Sequence, residues 1–150
     1  MLDLLDRMGA LVDPSAAPLA APATKLDGPW PDWRGKACAI VCTGPSAKAA
    51  GVERLAGIPG LATIAIKEAN ELAPFADAVY GCDWPWWRQV NGLPGFKGLK
   101  MAFDAKAVDR FGLTRIAIDL KRPEILTGET GRVGNGGNSG FHALNLAVQF

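Results

Sequence analysis

The chain has 150 residues, sixteen basic against fifteen acidic, for a net charge of +1. So even a balance argues against general nucleic-acid binding, which draws on a basic excess, and 49% hydrophobic with 21% charged residues marks a globular chain. Three cysteines cannot all pair within the chain, which argues against a disulfide-stapled secreted fold, and no apolar run reaches the roughly 20 residues that span a bilayer, so a soluble cytoplasmic protein is expected.

Leu2, Leu5, Met8 and Val12 recur at helical spacing among Asp3, Asp6 and Arg7, predicting an amphipathic helix over residues 1–12. Twelve residues alone are marginally helical in water, so this helix is expected to dock on the body, on a second copy or on a partner protein. Residues 13–24 (DPSAAPLAAPAT) hold three prolines and read as a stiff linker. A loop through residue 35 then carries Trp30 and Trp33, expected to cover one edge of the core. Residues 36–42 (KACAIVC) are a nearly unbroken apolar run, as a strand buried on both faces of a parallel sheet requires. The Ala-rich residues 47–56 predict a helix, stopped by Gly57, Pro59 and Gly60. Further strands are predicted at 61–67 (LATIAIK), 78–82 (AVYGC), 99–103 and 115–120 (RIAIDL). Between them, Asp83 as N-cap with Pro85 behind it opens a short helix through Val90. Residues 128–140 contain six glycines and lead into FHALNLAVQF, where Phe141, Leu144 and Val148 fall at helical spacing. Strands alternating with helices and turns give an α/β fold, a mostly parallel sheet with flanking helices over residues 36–150. The last helix meets no stop signal and no following strand, so the domain reads as truncated, lacking its C-terminal strand or strands.

Several positions could carry chemistry. Thr43, Gly44, Pro45 and Ser46 form the first strand-to-helix turn, where open α/β sheets commonly hold phosphate; the bland reading is a tight turn capped by Ser46. Asn135, Asn138, Ser139 and Gly140 lie in a second glycine-rich helix opening that offers backbone amides and side-chain donors. It matches neither the P-loop nor the dinucleotide fingerprint, and a surface loop with an N-cap is its plain alternative. Asp83, at a strand's carboxyl end, could hold Mg²⁺, a ribose hydroxyl or a proton, or simply cap its helix. The tryptophans after it read more readily as packing than as a base-stacking platform. Asn70 sits where such folds grip a ribose or base, and is also a natural turn residue. His142 is the only histidine, with a pKa suited to general acid–base work, although a lone helix-surface histidine is more often passive. Cys38 and Cys42 share one face of a strand and are expected to be buried thiols; Cys82 is the cysteine to examine for exposure.

The order of these motifs resembles the MptE-like Rossmann family of bacterial, archaeal and phage proteins. That family includes 6-hydroxymethylpterin pyrophosphokinase-like enzymes and is distantly similar to bacterial CMP-sugar sialyltransferases. The resemblance runs over residues 36–150 and is carried by the strand before Gly44-Pro45-Ser46, by Asn70, by Cys82-Asp83-Trp84, and by Asn138-Ser139-Gly140 opening the last helix. It implies a Rossmann-like fold in which Gly44, Pro45 and Ser46 line a nucleotide phosphate or base pocket. Asn70 would contact the nucleotide, and Asn138, Ser139 and Gly140 would close the other side. Asp83 would be the polar or metal-binding group, with Mg²⁺ arriving with the nucleotide. Two departures stand out. Cys42-Thr43 replaces the asparagine that precedes the first glycine in the sialyltransferase-like pattern, and the family's strand after the last helix, often ending in Gly–Asp, is not seen.

Two functions follow as expectations. One is a nucleotide- or nucleotide-sugar-binding, transferase-like domain of the pyrophosphokinase or glycosyltransferase class, inactive if the truncation removes its base. The other is a phage- or mobile-element-encoded interaction protein that keeps the fold without catalysis.

Overall fold

Four of the apolar runs lie side by side in a computed structural model that describes residues 24–150, and the strand expected over 115–120 is split between the edge of that sheet and a second, two-stranded one. The helix expected over residues 1–12 and nearly all of the Ala/Pro tract lie outside the described residues. In chain order the elements are β1 (Thr24–Lys25), β2 (Cys38–Val41), α1 (Ser46–Ala49), β3 (Ala62–Ile66), β4 (Ala78–Gly81), α2 (Trp84–Gln89), β5 (Leu99–Ala102), α3 (Ala105–Phe111), β6 (Thr114–Arg115), β7 (Ala117–Asp119), β8 (Glu129–Thr130), β9 (Arg132–Gly134) and α4 (Ser139–Gln149). Short 3-10 turns at Val52–Gly57 and Lys67–Glu71 complete the connections around β3.

Strands β2 to β6 form one sheet, parallel throughout, in the spatial order β2-β3-β4-β5-β6. With its flanking helices this is a Rossmann-like α/β arrangement. The Ile116 amide donates to Ala102 O and the next amide, Ala117, to Gly131 O, so the run 114–119 turns successive amides to opposite neighbours. Through it, β7 pairs in parallel with β9, while β8 pairs in parallel with β1.

Because the strand order follows the chain order, right-handed crossovers carry every connection between β2 and β6 to the same face. That face is packed by Val52, Ala69 and Ala73 at one end and by Trp86, Trp87, Ala107 and Leu113 at the other, against Val41, Ala65, Val79 and Ala102 of the strands. The alternate residues of the same strands, Ile64, Ile66, Ala78, Tyr80 and Met101, face the other way, onto α4. There the helix buries Ala143 and Leu146. Trp30 and Trp33 pack on Phe150 at that helix's end, as the covering role expected of them requires. Among the described residues no helix is long and apolar enough to cross a membrane.

Three expectations need correction. The helix over 47–56 is only α1, because Gly51 turns left-handed (φ +70°) and the chain resumes as a 3-10 turn. Pro45, not Ser46, occupies the cap position of α1, with no side-chain cap. The glycine-rich stretch is not all loop: Glu129–Thr130 and Arg132–Gly134 are strands, and α3 went unpredicted.

Candidate functional site

In a parallel sheet every strand delivers its following loop to the same edge, where ligands of open α/β folds bind. Here that edge collects Cys42 to Ser46 after β2, Lys67 after β3, Cys82 and Asp83 after β4, Asp104 after β5 and Asn135 to Gly140 after β9. The strand order shows no reversal within the five-stranded sheet, so a switch-point crevice does not define the place. What defines it is α4. Asn145 takes the Gly134 amide and Gln149 the Gly131 amide, so the helix runs antiparallel to the strands and its N-terminus lies at the carboxyl edge.

The two loops singled out by sequence meet there. A Cβ built on Gly140 would lie 3.6 Å from Cys42 Sγ, which puts the start of α4 against the residue that ends the β2 run. Thr43, Gly44, Pro45 and Ser46 are exposed on one side. On the other, Asn138 caps α4 by accepting the Phe141 amide at 2.9 Å. The first helical amides, those of Ser139 and Gly140, have no intrahelical acceptor and sit at the positive end of the helix dipole. Asn135 anchors the loop differently, its amide donating to Arg122 O at 2.7 Å with the residue itself exposed.

Asp83 performs two tasks. Its Oδ1 accepts the Trp86 amide, capping α2, and its Oδ2 takes the Lys67 ammonium at 2.5 Å. The side chains of Lys67 and Asp83 are 28% and 45% exposed, so the pair opens to solvent. Asp104, the carboxylate one strand further on, caps α3 through the Ala107 amide. Mg²⁺ usually takes one or two carboxylates along with ligand phosphates. A carboxylate already neutralised by lysine is a poor host for a second cation, and among the described residues no group of three His, Cys, Asp or Glu side chains is placed to hold a metal.

Below this edge lies a buried polar chain. His142 is 4% exposed, on the side of α4 that faces the sheet rather than solvent. Its Nδ1 lies 3.1 Å from the Tyr80 hydroxyl, and its Nε2 is buried without a hydrogen-bond partner. Burial lowers the His142 pKa, disfavouring the imidazolium, and raises that of Tyr80. The Cys82 thiol is also pushed up by burial, against a hydrogen bond from Tyr80 that pulls it down. At ordinary pH these groups are neutral. They suit positioning and packing better than proton transfer with an outside ligand.

Asn70 turns inward on its own segment, Nδ2 donating to Lys67 O at 2.6 Å, as a turn residue does. The cysteine expectations divide: Cys38 is partly buried, with its pKa raised by burial to about 11, whereas Cys42 is exposed and Cys82 half-buried. Sequence reasoning passed over Lys67, although a lysine ending an apolar strand at the ligand edge is a readable signal. It also passed over Tyr80, whose partner His142 lies 62 positions away. A recess of about 410 Å³ lined by Lys97, Leu99, Lys100 and Thr114 lies at the opposite, amino edge of β5 and β6, away from all these groups. Compared with family models, with curated proteins and with solved structures, the chain matches none.

Proposed function

We propose that the carboxyl edge between residues 43–46 and 135–140 binds the phosphate of a nucleotide or nucleotide sugar, as the donor site of a transferase-like domain. The observation that carries this reading is the approach of Gly140 to Cys42, which sets the front of α4 beside the β2 loop. An eleven-residue helix with its N-terminus at that edge favours an anion, typically by 0.3–1 kcal/mol per charge, and backbone amides supply the hydrogen bonds. The resemblance of the motif order to that of the MptE-like family supports a nucleotide as the source of that phosphate. Within this reading Asp83 and Lys67 line the edge, and His142 supports it from below.

Calorimetric titration of the full chain with CTP, a CMP-sugar and ATP, each with Mg²⁺, tests the site. Saturable binding by at least one of them is expected. Asn138→Asp keeps the helix cap but adds a negative charge at the front of α4, and is expected to weaken binding at least tenfold; Ser46→Ala should weaken it a few-fold. No saturation at millimolar concentration by any of the three overturns the reading.

The second reading, a phage- or mobile-element-encoded interaction protein without catalysis, draws on a specific observation. Both residues expected to act in catalysis have structural work, Asp83 in its cap and ion pair and His142 in the core, and Leu120 stands 70% exposed beyond β7. Light scattering separates the two: a nucleotide-binding monomer supports the first, an oligomer that takes no nucleotide the second.

A further inference from the structure

We propose that Lys67 is the cation that captures the ligand's phosphate, and that Asp83 holds it ready until the phosphate takes its place. This rests on the nucleotide-binding reading and names the residue that receives the charge.

Position comes first. β3 lies between β2, which carries the 43–46 loop, and β4, which carries Asp83. Ile66 pairs with Tyr80, so Lys67 stands level with Gly81, on the strand between the loop and the carboxylate. Backbone conformation is the second observation. Lys67 has φ +48°, in the left-handed region that a side chain with a Cβ adopts at a cost. Asn70 fastens that turn by its bond to Lys67 O. Glycine would hold the same turn without strain, so the turn itself does not call for lysine. Strained residues of this kind collect at ligand clamps, where the surroundings enforce them.

The ammonium is the third observation. It carries three donors and spends one on Asp83 at 2.5 Å, in a pair open enough to water for a ligand to reach. A phosphate bearing up to two charges outcompetes a single carboxylate already engaged with the Trp86 amide. When the ammonium leaves, Asp83 keeps its helix cap and faces solvent, so the exchange leaves no buried charge behind.

The experiment uses the full chain as wild type, Lys67→Gly and Asp83→Asn, the last retaining a side chain that caps helices well. CTP affinity is measured by calorimetry, and Tm is measured in rising inorganic phosphate. Lys67→Gly is expected to keep Tm at or above that of the wild type, to weaken CTP at least tenfold and to abolish the rise of Tm with phosphate. Asp83→Asn is expected to tighten CTP several-fold. Equal CTP affinity in Lys67→Gly and wild type overturns the role of Lys67 while the nucleotide site stands. If the wild type takes none of CTP, a CMP-sugar and ATP, yet phosphate raises its Tm and not that of Lys67→Gly, the nucleotide reading falls and capture by Lys67 stands. A marked fall of Tm in Lys67→Gly, weaker binding in Asp83→Asn, or indifference of both proteins to both ligands overturns the proposal.

Discussion

On the crossover face, Val79, Ala102 and Leu113 pack around Trp86 and Trp87, and the Trp87 Nε1 donates to Gly81 O at 2.9 Å. On the opposite face a single helix, α4, does the work of several connections and does it with polar side chains. Asn145 Oδ1 accepts the amides of Leu126 and Gly134, and its Nδ2 donates to Leu126 O. Gln149, one turn on, accepts the Gly131 amide and donates to Leu126 O and Arg132 O. The first face is held by volume. The second adds matched donors and acceptors to its apolar packing, because the irregular segment 120–128 and the broken strand at Gly131 leave backbone groups that neither sheet nor helix satisfies. It is this polar face, with Tyr80 and His142 on it, that underlies the candidate site.

The sharpest way to break the contrast is Asn145→Leu, which keeps bulk and removes polarity. Two buried amides lose their acceptor at about 1–3 kcal/mol each, so a loss of roughly 2–6 kcal/mol is expected in chemical denaturation. If the variant proves as stable as the wild type, packing alone holds α4 and the distinction between the faces disappears. On the other face Trp87→Phe keeps most of the volume and loses the bond to Gly81, for an expected loss of about 1–3 kcal/mol. A loss exceeding that of Asn145→Leu would reverse the comparison.

The smallest effect concerns pH. The folded-state pKa of His142 lies below its ordinary 6.5, because burial penalises the charged ring. Below pH 6.5 the unfolded chain therefore binds the proton more readily than the folded one. The contribution is fully present above pH 6.5 and is lost as pH falls through the folded-state value, by at most about 1.4 kcal/mol per unit. Denaturation at pH 7 and pH 5 should show this loss in the wild type and a flatter profile in His142→Gln. Equal slopes in the two proteins would remove His142 from the account.

Sequence and structure agree best where segments are short and their causes local. The apolar runs at 38–41, 62–66 and 78–81 became strands within a residue or two of expectation, and Asp83 with Pro85 started α2 as their cap geometry requires. The glycine-rich opening of α4 was equally legible, but Asn138, expected as a donor, serves as its cap by accepting the Phe141 amide. What escaped depends on partners far along the chain. Residues 129–134 are strands because β1 and β7 pair with them, and nothing in a segment with two glycines announces that. His142 reads as a surface histidine until Tyr80 is placed beneath it. Asn145 and Gln149 look like ordinary polar positions on a helix, yet both are buried, since their reason lies in the backbone of Leu126, Gly131 and Gly134. Of the candidate site, the two loops were visible as glycine-bearing breaks, whereas the Lys67–Asp83 pair depends on neighbouring strands.

The strand order also has a consequence for synthesis on the ribosome. Each of β3 to β6 docks onto the strand that left the exit tunnel just before it, so that portion can assemble as it emerges, with short loops to close. β1 cannot follow this schedule. Thr24 pairs with Glu129, and the Trp33 amide donates to Phe150 O, so the lead-in segment must wait for more than a hundred later residues. Fastening the lead-in segment is thus a late step of assembly, since β8 must be made before β1 can pair and α4 before Trp33 finds Phe150.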